Sequence, residues 1–292
     1  MVQQNLITSL PFFDARGKQT FRQAKSTQGA IPCRYDRILP FTIKRTPAAA
    51  PTYIYAVKYG DQSALDITSL LSISTETVDS IGFAYWAYGL DHNQATAVQD
   101  YRWTAGAWAA NTTKTWAQFF SEGDLFYLEI SFSGTKYYSE LMRLSDFPET
   151  VTDPSDECAG TYIRIEGTNI CKVGDLPAAL NVQKLFIDGK TSDPEYLISR
   201  QVSEDGHDEE HPVFVKLKKR YKAIFYTVES VVDWLSTLPL YGDNVNLVDQ
   251  YGYQAAVTDI ELDVSWPEEY NGWLARVELT YSINYLSSTG CC

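Results

Sequence analysis

The chain has 292 residues, enough for one large or two ordinary domains, and at 45% hydrophobic and 21% charged it reads as globular, not disordered. Its formal net charge of −13 repels nucleic acid and anionic lipid, which argues against either as the main partner. Aromatics are heavy at 14%, with 20 Tyr and 7 Trp, as suits strands and contact surfaces.

Residues 1–45 read as an extended arm. The start lacks the basic region of a signal peptide, and no apolar run in the chain approaches a membrane span. The expectation is a soluble protein made in a cytoplasm, with no membrane insertion. Leu10-Pro-Phe-Phe13 and Leu39-Pro-Phe-Thr-Ile43 are apolar clusters, and Arg16, Lys18, Arg22, Lys25, Arg34 and Arg37 lie between them. This basic, aromatic arm contrasts with the acidic remainder. It is either an extended segment laid on a neighbouring acidic subunit or a strand and loop on its own domain.

Thr46–Pro51 carries two prolines and reads as a linker. Residues 46–148 then read as a β-sandwich domain. Strands are expected at Tyr53–Tyr59, Ile81–Tyr88, Tyr101–Trp103, Leu125–Phe132 and Lys136–Leu144, with turns at Gly60-Asp61 and Ser133-Gly134. The Leu125–Phe132 run is the clearest. Phe126, Leu128, Ile130 and Phe132 share one face, and Tyr127, Glu129 and Ser131 share the other. Residues 104–113 read as a loop.

Residues 148–160 are polar and carry two prolines, which marks a second boundary. Residues 149–292 read as an α+β domain, with one helix packed on an antiparallel sheet. A hairpin is expected around a turn at Glu166–Asn169. The helix follows from Val228, Val231, Val232, Leu235 and Leu238, with Thr227 as N-cap and Pro239 as stop. Strands are expected at Val213–Phe225 and Ala256–Trp266. A last strand runs through Trp273, Ala275, Val277, Leu279, Tyr281, Ile283 and Tyr285, whose common face should pack on the helix.

Few residues suggest chemistry. His207 and His211 have the spacing of two zinc ligands on one helix face, but Gly206 and Pro212 bracket them, and the stretch reads as an acidic loop. Cys33, Cys158, Cys171, Cys291 and Cys292 have no metal-ligand spacing. Cys158 and Cys171 flank the expected hairpin and either pair or stay as thiols. There is no phosphate-binding loop, dinucleotide fingerprint or nucleophile elbow, so neither a catalytic group nor a cofactor is expected. Two surfaces stand out instead. Lys216, Lys218 and Arg220 alternate along a strand and form a stripe, which either docks an acidic subunit together with Arg16, Lys18, Arg22, Arg34 and Arg37 or is a solvated strand face. Trp86, Trp103, Trp108 and Trp116 crowd with Tyr85, Tyr88 and Tyr101, and are either core packing or a platform on which a sugar could stack.

Three segments together resemble structural proteins from the tail modules of phages and prophages of Bacteroidetes-type bacteria. They are Leu10-Pro-Phe-Phe-Asp14 with Leu39-Pro-Phe-Thr-Ile43, the hairpin Phe126–Glu140 with its Tyr137-Tyr138-Ser139-Glu140 end, and Thr258–Tyr285. The resemblance implies a non-enzymatic virion protein of the tail, baseplate or connector. It would form a homo-oligomeric ring and dock onto other virion proteins. From the residues themselves, a glycan- or host-surface-binding sandwich is the alternative, and a glycan-active hydrolase a third.

Overall fold

The structure, a computed structural model, describes residues 12–14, 29–34, 41–45, 51–78, 84–92, 95–132, 134–145, 162–168, 182–188, 190–204, 210–239, 245–248, 254–270 and 274–289. It is mainly β, and among these residues the strands form three sheets.

The first sheet takes strands β1 (Phe12–Asp14), β2 (Ile31–Arg34), β4 (Tyr53–Lys58), β5 (Ser63–Asp66), β8 (Val98–Thr104), β9 (Ala107–Lys114), β10 (Leu125–Phe132), β11 (Thr135–Ser139) and β12 (Met142–Ser145). β10 lies at its centre, and Phe126, Leu128, Ile130 and Phe132 are all buried on one face as the alternation requires. One edge of β10 pairs antiparallel with β4, setting Ile130 opposite Ile54. Its other edge takes β11 and then β12. The expected return strand Lys136–Leu144 is therefore present but broken at Glu140-Leu141. There the Leu128 N–H, which would otherwise be stranded, donates to Ser139 Oγ at 2.9 Å. The sheet continues through β5 and β8 to β9.

The expected loop at 104–113 is a hairpin. Thr104 pairs with Ala107, and the two residues between, Ala105 (φ 51°) and Gly106 (φ 84°), both take positive φ, as the tightest hairpin turn demands. β9 escapes the sequence because it is an outer strand whose side chains are nearly all exposed, so its polar run shows no alternation. A separate antiparallel sheet joins β3 (Phe41–Arg45), β7 (Ala84–His92) and β6 (Leu71–Val78). Helix α1 (Trp116–Phe119) is one turn, closed by a reciprocal cap between Thr115 and Gln118.

The second half builds an antiparallel sheet. Its strands are β13 (Tyr162–Thr168), β14 (Val182–Asp188), β15 (Lys190–Thr191), β16 (Glu195–Glu204), β17 (Glu210–Thr227), β18 (Val245–Val248), β19 (Gln254–Ser265) and β20 (Ala275–Thr289). Glu166–Thr168, expected as a turn, is instead strand, paired with β14 on one side and β18 on the other. Helix α2 (Glu229–Ser236) packs on β19 and β20 and puts Val231, Trp234 and Leu235 into the core with Val277 and Leu279. The N-cap is Val228, not Thr227. Thr227 is still held in the sheet opposite Ala275, so the helix starts one residue later, without a side-chain cap.

The two halves share one core. Ile31 and Cys33 of β2 belong to the same buried cluster as Leu185 and Ile187 of β14, and that cluster reaches from Phe126 to Leu279. β2 pairs parallel with β12 and touches β14. Ser230 of α2 donates to Glu140 Oε1 at 3.1 Å across the same seam. Gly29 approaches so closely that a Cβ would lie 2.7 Å from Leu274 Cδ2. Where the arm is described, β1, β2 and β3 pair with strands of their own chain, as in the second of its two readings; Arg16–Lys25 and Arg37 lie outside the described residues.

Candidate functional site

The first candidate is an aromatic cleft on the other face of the first sheet. Tyr127, Glu129 and Ser131 alternate with the core residues of β10, and on β4 Tyr53, Tyr55 and Val57 do the same. This face is covered by a small second core of Tyr55, Val57 and Ala64, against which Tyr53, Tyr101, Trp108 and Tyr127 pack. Tyr55 stacks on Tyr53 at 4.0 Å and on Tyr101 at 4.8 Å between ring centroids. Trp108 meets Tyr55 edge-on at 6.0 Å and Trp103 edge-on at 5.0 Å.

Glu129 lies on the floor of this face, with its carboxylate almost wholly buried. Its Oε1 accepts from Tyr53 Oη at 2.8 Å and Trp108 Nε1 at 3.0 Å, and pairs with Lys136 Nζ at 2.8 Å. The same ammonium lies 5.1 Å from the centroid of the Trp103 ring. Burial, and then the Glu129 carboxylate beside them, hold the hydroxyls of Tyr53, Tyr127 and Tyr138 above the ordinary phenol range. These tyrosines are neutral donors, not phenolates, so the cleft is equipped to bind and orient. Above the floor lies a cavity of about 640 Å³, lined by Tyr59, Trp103, Trp108, Tyr127 and Tyr138, with Lys58 and Gln62 among its polar groups. Lys58 is held by Asp124 at 2.6 Å. The Gly60-Asp61 turn carries Tyr59 over the rim, with Asp61 Oδ1 accepting from the Ser63 N–H at 2.8 Å.

Of the four tryptophans singled out in the sequence, Trp103 and Trp108 line this cleft. Trp86 lies on β7, in a different sheet. Trp116 is corrected: at 0% exposure it packs on Phe120 at 4.4 Å and Phe126 at 5.7 Å in the main core, so no ligand reaches it. Glu129, Tyr127, Tyr138 and Tyr59 were missed. They come from other strands and a turn, and their only signal was that the second face of the Leu125–Phe132 strand carries large polar rings around one carboxylate.

The second candidate is the ribbon formed by β16, β17 and β20. Lys216, Lys218 and Arg220 share its outer face as expected, yet the acids that engage two of them belong to the same chain. Lys218 pairs with Asp259, and Arg220 Nη2 meets Glu261 Oε2 at 2.5 Å. Lys222 extends the pattern with Glu278 at 2.5 Å. Asp259 and Glu261 on β19 thus reach across β20 to these two side chains, which fits the solvated strand face of the two readings given for the stripe. Arg34 ends β2 opposite Ser145, whereas Arg16, Lys18, Arg22 and Arg37 lie outside the described residues.

The inner face of the ribbon is different. Ala223, Phe225 and Thr227 of β17 are buried under the core, and Tyr221 stacks on Tyr281 at 5.5 Å. Further out, Tyr196 and Ile198 of β16 stand opposite Lys219 and Leu217, on the same side as buried Tyr281 and Ile283. Nothing among the described residues covers them: Tyr196 is 54% and Ile198 70% exposed. Among the described residues β16 is hydrogen-bonded on one side only, to β17. The Lys219 ammonium lies 5.4 Å from the Tyr196 ring centroid.

His207 and Cys158, Cys171, Cys291 and Cys292 lie outside the described residues, and His211 sits in β17 opposite Ser203. Among the described residues there is no cluster of three or more His, Cys, Asp or Glu able to hold a metal, and no helix long and apolar enough to cross a membrane. No protein-family description and no curated protein matches this sequence.

Proposed function

We propose that the chain is a structural component of a phage virion, in its tail, baseplate or connector layer, working by self-assembly and docking and not by catalysis. It would be made in the host bacterial cytoplasm and end in the particle. The observation that supports this most is the ribbon that no described residue covers. Exposed strand edges are normally blunted by lysine, proline or a covering loop. Here the open strand presents Tyr196 and Ile198, and a further strand laid along it would continue the ladder and set its own side chains beside both. The occupant is a second copy of this chain. The molecule carries a basic stretch from Arg16 to Arg37 on an otherwise acidic body, so one copy offers the charge that its neighbour lacks. The resemblance to phage tail proteins points the same way.

Mass photometry of the purified full-length chain tests this. The expected result is a closed oligomer, with Ile198→Asp monomeric and as well folded by circular dichroism, since that side chain is mostly outside the core. A monomeric wild type, or an Ile198→Asp chain that still assembles, overturns the reading. Mass spectrometry of purified tails then asks whether the chain is in the particle.

A further inference from the structure

We propose that the cleft above Glu129 is a saccharide site that takes a neutral pyranose unit, with one sugar face on Trp103 and its hydroxyls turned to Glu129, Gln62 and Lys58. The inference is independent of assembly, since the cleft and the ribbon use different sheets.

Four observations converge. First, the cavity of about 640 Å³ falls in the range of small-molecule sites. Second, it pairs ring faces with convergent polar groups, the combination that a sugar needs: its C–H bonds lie on an aromatic face while its hydroxyls seek donors and acceptors. Trp103 at 36% and Tyr59 at 39% exposure still offer ring surface to solvent, unlike the interior aromatics of this fold. Third, the site is built before the ligand arrives. Trp108 is fixed by its Nε1 bond to Glu129, Trp103 rests edge-on against it, and both stand on paired strands next to a two-residue turn. A rigid platform loses little entropy on binding.

The fourth observation selects the ligand class. A carboxylate walled by aromatic rings is also the chemistry of a cation cage. In this cleft the cation is already supplied, because Lys136 sits both on Glu129 and over Trp103. A second cation would have to displace it. An anion would face Glu129 and, beyond it, a strongly acidic molecule. A neutral polyhydroxy ligand incurs neither cost.

The test is a titration of the full-length protein with cellobiose, maltose, lactose and diacetylchitobiose, followed by tryptophan fluorescence and ligand-observed NMR. At least one should bind saturably in the millimolar range. Trp103→Ala and Tyr59→Ala should each weaken that binding at least about tenfold, roughly the loss of 1.4 kcal/mol, with melting curves confirming that both variants fold. Trp266→Ala, an exposed ring in the other half, and the assembly variant Ile198→Asp should bind as the wild type does. The proposal fails if none of the four sugars binds, if binding survives both cleft substitutions, or if tetramethylammonium binds the cleft and the sugars do not.

Discussion

Asp100 illustrates how much one residue can organise. It is buried on β8 at the register shift between Gln99 and Tyr101, where the ladder to β9 is interrupted. Its carboxylate takes over the missing bonds: Oδ1 accepts from the Thr112 N–H and from Thr112 Oγ1 at 2.8 Å, while Oδ2 accepts from Asn111 Nδ2 at 3.1 Å and faces Lys114 Nζ at 3.5 Å. Burial alone would raise its pKa, but the bonds from Thr112 and Asn111 and the Lys114 charge outweigh it and hold the carboxyl below the usual range. The stability this gives is present above the unfolded value of 3.8 and is lost as pH falls through the lower folded value. Asp100→Ala should cost about 1–3 kcal/mol at neutral pH by leaving donors unmet. The difference between Asp100→Ala and wild type should shrink in acid, which thermal melts over a pH series will check. A constant difference down to the lowest pH would mean that the charge plays no part.

At the scale of elements, β20 makes the sharpest test of which face is which. Leu279 is buried under α2, so Leu279→Ala should destabilise by about 2–5 kcal/mol. Its neighbour Glu278 points the other way, to Lys222 and Arg276 at the surface, and Glu278→Ala should move the melting temperature far less. Equal losses would reverse the faces assigned to the strand. This much was legible beforehand because one face of β20, like one face of β10, is buried and the period of two is written into the residues. β5, β9 and β16 were not legible. β5 is only four residues long, β9 is wet on both sides, and β16 holds Tyr196 and Ile198 in the open, so burial imposes no pattern on them. The helix was visible through its apolar spacing, but not its first residue, because Thr227 is claimed by the sheet. The cleft was half legible. Trp103 and Trp108 lie close together in the chain, whereas Tyr59, Glu129 and Tyr138 reach them only through strand pairing, which no local window contains.

At the scale of the molecule, the seam between the halves carries a titrating group. Glu140 leaves the β11–β12 break and meets Ser230 of α2. Burial raises its pKa, only partly offset by hydrogen bonds from Ser230 and the Leu141 N–H. A raised folded value has the opposite sign to Asp100: its contribution is fully present below the unfolded 4.5 and is lost as pH rises through the folded value. Glu140→Gln, which keeps an acceptor for Ser230 and carries no charge, should therefore melt higher than wild type at neutral pH and converge with it in acid. A variant that melts lower at every pH would show that the carboxylate is needed as such. The seam also imposes an order in time. β2 leaves the ribosome well before β12 and β14, so its parallel seat on the one and its contact with the other do not exist until a long stretch of chain has followed. β2 must wait without these partners before it can clasp the two halves together. Contacts so distant in sequence form slowly and leave apolar surface bare meanwhile. The β16 edge is likewise open among the described residues, so synthesis is also the interval in which stray strand pairing has to be held off until the fold is shut.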